Sequence, residues 1–121
     1  KRYVVTLSVD QVVFRQPIHV GELVTFLASV NYTGTTSMEI GIKVVTEDSQ
    51  TQVVRHANSC FFTMVAVNED GRPVPIPPHA PATRDERRRF DAAKTRRELR
   101  RELEARYEAM KAPAAKSERP D

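Results

Sequence analysis

The residues best suited to chemistry in this sequence are three hydroxyl-bearing side chains in a row, Thr35, Thr36 and Ser37, directly after Gly34. They stand between two runs of alternating apolar residues, and a turn between two strands does not need so many hydroxyls. A hydroxyl can donate or accept a hydrogen bond, as a ligand requires. The segment is therefore either a polar hairpin turn or a surface that offers hydroxyls and backbone amides to a ligand.

A second candidate is the arginine-rich segment 84–111, which carries 11 basic and 7 acidic residues, whereas residues 1–83 carry 6 and 7. The formal net charge of +3 is thus concentrated in one segment, and this predicts an anionic partner. Nucleic acid is one such partner, but acidic residues are interleaved with the basic ones. Only Phe90 and Tyr107 are aromatic in this segment, so a nucleic-acid surface is the less favoured interpretation.

Other reactive residue types are isolated. Cys60 is the only cysteine, which excludes an internal disulfide and a cysteine-based zinc site, and it is expected to be a core thiol in a reducing, cytoplasmic protein. His19, His56 and His79 have no metal-ligand spacing, so no metal site is predicted. Asp10 is expected to be a solvated strand carboxylate rather than a catalytic group.

Alternating apolar residues predict four consecutive antiparallel strands. Gly34 lies in the turn between the second and third of them, as in a long hairpin. The predicted strands cover residues 3–14, 22–32, 38–45 and 53–67, with turns at 33–35 and 46–52.

Five of the eight prolines lie in residues 68–82, which predicts an extended chain rather than a helix or a central strand. Thr83 and Glu86 then form a capping box that begins a helix. We expect this charged helix to cover 84–111 and to end before Pro113.

The chain therefore divides into a sheet with a proline-rich extension (1–83), a charged helix (84–111) and a disordered tail (112–121). Both faces of the predicted sheet carry large apolar residues, and a sheet of this length usually packs against a helix. The charged helix is too polar for that role. We expect an apolar helix to come from upstream of Lys1 or from another chain.

Several motifs in order resemble the hot-dog-fold acyl-CoA thioesterases, in their cytosolic acyl-CoA hydrolase branch. The resemblance is continuous over residues 3–83. Its motifs are "SVD" (8–10), "FRQP" (14–17), "VGE" (20–22), "TSMEI" (36–40) and "FFTMVAV" (61–67).

The resemblance implies an α+β hot-dog fold, in which a long central helix precedes the "SVD" strand and a long antiparallel sheet wraps around it. It implies hydrolysis of fatty acyl-CoA to a free fatty acid and coenzyme A. The family's catalytic carboxylate or amide residues lie in the upstream region, and no residue of this chain matches them. The alternative is a non-catalytic module whose arginine-rich helix binds nucleic acid or a partner protein, or serves oligomerisation.

The resemblance also implies residues that bind coenzyme A, which is substrate and product here, so that no cofactor is expected. Pantetheine, a thin chain with two amides, can pair with an exposed strand, and arginine matches phosphate with two parallel hydrogen bonds. The implied residues are Thr6, Leu7 and Ser8 before and within "SVD", Thr35, Thr36 and Ser37 at the turn, and Arg96 and Arg97 on the charged helix.

The family resemblance further implies a homo-oligomer, a hexamer built as a trimer of dimers, in which two sheets join at their edges and so hide exposed strands. No membrane segment is expected, because no apolar run is long enough to span a bilayer. A cytoplasmic enzyme of fatty acid metabolism is the resulting hypothesis.

Overall fold

The computed structural model describes residues 2–10 and 12–117, with side chains as far as Lys111. It contains a four-stranded antiparallel sheet with the strand order β1-β4-β3-β2, followed by one helix. The four predicted strands and their antiparallel arrangement are confirmed. The elements are β1 (Tyr3–Val9), β2 (Leu23–Thr33), β3 (Ser37–Glu47), β4 (Val54–Val67) and α1 (Arg84–Ser117).

The first strand is shorter than predicted, since β1 ends at Val9 and not at residue 14. The backbone N–H of Asp10 still donates to the carbonyl of Phe61 at 2.9 Å, and that of Arg15 donates to Ala57 at 3.0 Å. The chain thus continues along β4 after the regular ladder ends. The apolar residues Val12, Val13 and Phe14 follow one another there without alternation, and the hydrogen bonds to β4 are too sparse for a strand.

The start of α1 agrees with the sequence. The backbone N–H of Glu86 donates to the Thr83 hydroxyl at 3.1 Å, and this hydroxyl lies 3.2 Å from the Glu86 carboxylate. The predicted N-cap at Thr83 is thus confirmed. The Glu86 carboxylate accepts from the Thr83 hydroxyl rather than from its backbone N–H, so the reciprocal half of a capping box is not formed.

The end of α1 differs from the prediction. The helix continues to Ser117, past Pro113, so residues 112–117 are helical and not a disordered tail. The fixed φ of proline is compatible with a helix, and alanine, the strongest helix former, flanks Pro113 on both sides. Residues 118–121, also predicted to be disordered, lie outside the described residues.

The N-terminal half of α1 packs on one face of the sheet, the covered face. Its apolar contacts are few: the rings of Phe90 and Tyr32 have centroids 4.9 Å apart, and Ala93 is buried. The covered face itself is polar, with buried side chains at Asn31 and Glu39. The expectation that a charged helix cannot cover this sheet is therefore wrong for one face, because that face is polar as well.

The opposite face, the open face, is apolar. Residues paired across neighbouring strands share a face, and the pairs Val30–Ile40 and Ile40–Phe62 place large apolar side chains side by side. Phe26 on this face is 67% exposed. Among residues 2–10 and 12–117 no element lies over it, so this is the face for which an apolar helix was expected.

Candidate functional site

The turn between β2 and β3 places one arginine of α1 beside the hydroxyl cluster. A Cβ at Gly34 would lie 3.0 Å from the Arg97 Nη1 atom and 3.3 Å from the Ser37 hydroxyl oxygen. The same Nη1 donates to the Tyr32 hydroxyl at 3.1 Å. The absence of a side chain at position 34 thus leaves room for the Arg97 guanidinium against the turn. We call Tyr32, Gly34, Ser37 and Arg97, with Thr35 and Thr36 between them, the turn site.

The proline-rich segment lies across this turn and hydrogen-bonds to it. The N–H of Ile76 donates to the carbonyl of Thr35 at 3.0 Å, and that of His79 donates to the Thr33 hydroxyl at 2.7 Å. On the other side, the N–H of Ala66 in β4 donates to the carbonyl of Thr36, also at 3.0 Å. The carbonyls of Thr35 and Thr36 therefore have protein partners, whereas their backbone N–H groups and side-chain hydroxyls have none among the described residues and can meet a ligand.

The neighbouring arginine, Arg96, has a different role. Its guanidinium makes two hydrogen bonds to the Glu39 carboxylate, Nε to Oε2 at 3.0 Å and Nη2 to Oε1 at 2.7 Å. It also stacks over the Phe61 ring, with Cζ 3.7 Å from the ring centroid. The Glu39 side chain is only 6% exposed and that of Arg96 is 26% exposed, so this ion pair is largely shielded from water.

A glycine makes this ion pair possible. The Asn31 side-chain N–H donates to Glu39 at 2.9 Å, and its oxygen accepts from the Ser29 hydroxyl at 2.8 Å. A Cβ at Gly41 would overlap the Asn31 side-chain nitrogen. The buried carboxylate of Glu39 is thus satisfied from two sides, by Asn31 on the sheet and by Arg96 on α1, as a buried charge requires.

The three predicted residues of β1 point in different directions. Thr6 pairs with Met64 but Ser8 pairs with Thr63, because a bulge interrupts the ladder between them. The Thr6 hydroxyl contacts the Met64 sulfur at 3.3 Å, on the open-face side, whereas the Ser8 hydroxyl is buried with no hydrogen-bond partner among the described residues. Leu7, at the bulge, is 69% exposed.

The structure therefore brings only part of the predicted set together. Ser37 and Arg97 are adjacent, whereas Arg96 is held by Glu39. Because β4 lies between β1 and β3, Thr6–Ser8 are two strands away from the turn, about 10 Å at the usual strand spacing. The depression in the surface at the turn site has a volume of only about 10 Å³, so the site is a surface rather than a cavity.

Three titratable groups have shifted pKa values. The backbone N–H groups of Thr51 and Gln50 donate to the Asp48 carboxylate in the β3–β4 turn and hold its pKa below the usual value. The Arg55 guanidinium, at 2.7 and 2.8 Å, and the backbone N–H of His19 hold the pKa of the Glu22 carboxyl, in the "VGE" motif, below its usual value. Burial raises the pKa of the Cys60 thiol, in keeping with a core role. Asp10 lies 3.7 Å from Arg100 and is part of the contact between β1 and α1.

Tyr32, Gly34 and Glu39 were not predicted to take part in a site. The sequence did contain an indication for Glu39, because its carboxylate interrupts the apolar residues of β3 two positions before Gly41. Nothing local to Tyr32 indicated that it would receive an arginine 65 positions later in the chain. No group of three metal-ligating side chains occurs within the described ranges, and none of the helices there is long and apolar enough to cross a membrane.

Comparison with known proteins identifies the family. Residues 1–53 match the family model of the thioesterase superfamily. An acyl-CoA hydrolase from Staphylococcus aureus, solved in complex with butyryl coenzyme A, coenzyme A and coenzyme A disulfide, superimposes with a TM-score of 0.81 at 30% identity. The alignment covers 93% of this chain and 68% of that one. The chain belongs to the thioesterase superfamily.

Two further relatives extend this result. Protein VdlD of Helicobacter pylori is 57% identical over 96 residues, which cover 79% of this chain and 55% of VdlD. The structure of a hexameric acyl-CoA thioesterase superimposes with a TM-score of 0.79 at 37% identity, covering 84% of this chain and 65% of that one. The predicted α+β hot-dog fold and the resemblance to acyl-CoA thioesterases are thus confirmed.

The chain spans about half the length of the curated relative VdlD and about two thirds of these solved thioesterases. The described part of this thioesterase-superfamily chain contains the sheet, the turn site and α1. It contains no element over the open face among the residues described.

Proposed function

We propose that this chain is the coenzyme A-binding part of an acyl-CoA thioesterase and that the turn site contacts the ligand. The observation that carries the proposal is the position of Arg97 beside Ser37 at the start of β3. Hydroxyls with free hydrogen-bonding capacity and one arginine lie together there, in a superfamily of thioesterases. This combination suits a ligand with an amide chain at one end and phosphates at the other.

Within the proposal, Thr35, Thr36 and Ser37 meet the polar chain of pantetheine through their side chains. Arg97 supplies a charge-assisted contact to a phosphate of the nucleotide end. Arg96 does not bind the ligand; it holds α1 on the sheet through Glu39. Thr6 and Leu7 contribute from the edge strand β1, and their distance from the turn requires an extended ligand or a second subunit.

The reaction is addition of water to the thioester carbonyl and expulsion of the coenzyme A thiolate, which leaves a carboxylic acid and a thiol. It needs a base for the water and donors for the developing oxyanion. The carboxylates of Glu39 and Glu22, whose side chains are only 6% and 5% exposed, are already bonded, Glu39 to Arg96 and Asn31 and Glu22 to Arg55. We therefore assign no catalytic role within this chain and propose that the catalytic groups lie in a segment that covers the open face.

We further propose that the protein is a homo-oligomer of the trimer-of-dimers type. The hexameric state of a similar thioesterase supports an oligomer, and both edge strands, β1 and β2, are available for pairing with a second sheet. Such pairing would hide the unpaired strand edges. A cytoplasmic location and a role in fatty acid metabolism are part of the same proposal.

The alternative, a nucleic-acid-binding helix, is disfavoured because three arginine side chains of α1 point to the sheet and not to solvent. Arg96, Arg97 and Arg100 contact Glu39, Tyr32 and Asp10 on the sheet, so α1 does not present them as one basic face to solvent. A helix that binds nucleic acid needs such a face to contact successive phosphates.

The proposal is tested by calorimetric titration of the purified protein with coenzyme A. Ser37→Trp should weaken coenzyme A binding at least tenfold because the indole would fill the surface beside Arg97. Ser49→Trp, the same change in the β3–β4 turn, is the matched control and should leave the affinity unchanged. Equal affinities of the two variants would show that the turn does not contact the ligand.

A further inference from the structure

We propose that an ion pair between Asp10 and Arg100 fixes the bulged register of the edge strand β1 and thereby positions Leu7 to meet the ligand. The pair joins the chain directly after β1 to the middle of α1, with the Asp10 Oδ1 atom 3.7 Å from the Arg100 Nη1 atom. Only the ligand part of this inference rests on the proposed coenzyme A function, because the register of β1 can be measured without a ligand.

The bulge lies between Thr6 and Ser8, and Leu7 is its extra residue. Thr6 pairs with Met64 before the bulge and Ser8 pairs with Thr63 after it, so Leu7 has no partner residue in β4. An extra residue of this kind is left out of the ladder. Leu7 is 69% exposed and belongs to an edge strand, where an amide chain such as pantetheine can pair with the backbone.

The bulge also decides on which face of the sheet Asp10 lies. The backbone N–H of Asp10 donates to the carbonyl of Phe61 at 2.9 Å, and Phe61 lies under Arg96 on the covered face. Without the extra residue, every later residue of β1 would change faces, and Asp10 would stand opposite Cys60 on the apolar open face. A carboxylate there would have no ionic partner and would be costly to cover.

Arg100 supplies the partner that Asp10 needs on the covered face. The contact of 3.7 Å is longer than a hydrogen bond and acts through charge, and the side chains are only 20% and 27% exposed, so water screens it in part. It is the only ion pair between α1 and residues 2–10 in the described part of the chain.

Ser8 does not favour this register by itself. Its hydroxyl is buried without a hydrogen-bond partner among the described residues, and such burial costs free energy. The bulged register therefore needs a compensating interaction near Ser8. The charge of Asp10, two positions later on the same face, provides it through Arg100.

The same helix thus holds three strands through three neighbouring arginines. Arg97 contacts β2 at Tyr32, Arg96 contacts β3 at Glu39, and Arg100 contacts the end of β1. One helix thereby fixes the distance between the turn site and the bulge. An extended ligand that touches both binds more tightly when this distance is set in advance.

The register is tested without a ligand by disulfide trapping in a Cys60→Ala background. Ser8→Cys/Thr63→Cys should cross-link, because these positions are opposite each other in the bulged register, whereas Leu7→Cys/Thr63→Cys should not. Addition of Arg100→Gln should make the second pair cross-link at the expense of the first. Unchanged cross-linking after Arg100→Gln would overturn the proposal.

Two further variants show whether the ion pair itself is responsible. Arg106→Gln removes the same charge from a side chain of α1 that is 75% exposed, and it should leave both cross-links as they are. The exchange Asp10→Arg/Arg100→Asp should restore the cross-link of the bulged register. An equal change of register in Arg106→Gln, or no restoration by the exchange, would contradict a specific pair.

The ligand part is tested by calorimetric titration with coenzyme A and with pantetheine. Asp10→Asn and Arg100→Gln should each weaken both ligands by the same factor, about fivefold, because β1 meets the pantetheine that the two ligands share. The double variant should lose no more than either single variant, as expected for two partners of one pair. Arg97→Gln should instead weaken coenzyme A more than pantetheine, because Arg97 meets a phosphate.

The outcomes separate the two proposals. A loss for coenzyme A alone in Arg100→Gln would show that Arg100 acts on the phosphates by its charge, and it would contradict the positioning role. Unchanged affinity for both ligands with a shifted register would remove β1 from the ligand site. A wild-type protein that does not bind coenzyme A would overturn the proposed function, while the cross-links would still decide whether the ion pair fixes the register.

Discussion

The two faces of the sheet differ in their chemistry and in what covers them. The covered face meets α1 through an ion pair, a stacked arginine and a short chain of hydrogen bonds around Glu39. The open face presents Phe26, Val30 and other apolar side chains, with nothing over them in the described residues. A charged helix can therefore pack on a sheet if the sheet supplies buried polar partners, while the apolar face still requires an apolar cover.

The same contrast explains why the rotation of α1 about its axis is well defined next to the turn site. Hydrogen bonds to a buried carboxylate are directional, so Glu39 sets the rotation of α1 through Arg96. The next residue, Arg97, is thereby directed toward Tyr32 and the turn. An apolar contact would hold the helix with less angular definition, because burial of apolar area is non-directional.

The largest expected loss in the free energy of unfolding follows from a substitution on the covered face. Glu39→Ala leaves Arg96 without its carboxylate, and loss of one partner from a buried ion pair costs roughly 3–5 kcal/mol. Because Arg96 is partly exposed, we expect about 3 kcal/mol loss in the free energy of unfolding, measured by urea titration. Glu98→Ala, at an exposed position of α1, is the control. A loss below about 1 kcal/mol would mean that the ion pair does not hold the helix.

The second-largest expected loss in the free energy of unfolding follows from a substitution on the open face. If an apolar segment covers it in the intact protein, Phe26→Ala should cost about 2 kcal/mol or more, since truncation of a buried phenylalanine costs about 3–5 kcal/mol. Val53→Ala, at a residue that is 54% exposed in the β3–β4 turn, should cost about 0.5 kcal/mol or less. Similar small losses for both would show that the open face is solvated in the intact protein.

The smallest expected loss of stability separates two glycines that lie against polar side chains, Gly41 against Asn31 of β2 and Gly34 against Arg97 of α1. Gly41→Ala forces the buried Asn31 amide away from Glu39, so we expect a loss of about 1–2 kcal/mol in unfolding free energy. Gly34→Ala meets the far end of the flexible Arg97 side chain and the rotatable Ser37 hydroxyl, so it should cost less than about 0.5 kcal/mol. The same urea titration compares them, and the reverse order would contradict the packing described for the covered face.

Much of this fold could be predicted from alternation and turn chemistry. The four strands, the turn after Thr33 and the cap at Thr83 depend on local residue patterns, and all were located within a few residues. The bulge between Thr6 and Ser8 was not predictable, since regular alternation places those side chains on one face. The passage of α1 through Pro113 was also missed, because a proline inside a helix is normally a strong stop signal.

The candidate site was harder to predict than the fold. Arg96 and Arg97 are neighbours on a helix and look alike in the sequence, yet one bonds to a buried carboxylate and the other lies at the turn. The distinction depends on Glu39, which is 57 positions away and is selected by tertiary packing. Gly34 was recognised only as a turn residue, and its role as the space for Arg97 required the position of α1.

The most direct test of the account is coenzyme A affinity, measured by calorimetry for Arg97→Gln and for Lys94→Gln as the control of equal charge. The account predicts at least tenfold weaker binding for Arg97→Gln and less than twofold change for Lys94→Gln. It also predicts that Glu39→Gln, which weakens the ion pair that positions α1, reduces the affinity less than Arg97→Gln, since Glu39 does not touch the ligand. Unchanged affinity in Arg97→Gln would contradict the central claim that the turn and α1 together bind coenzyme A.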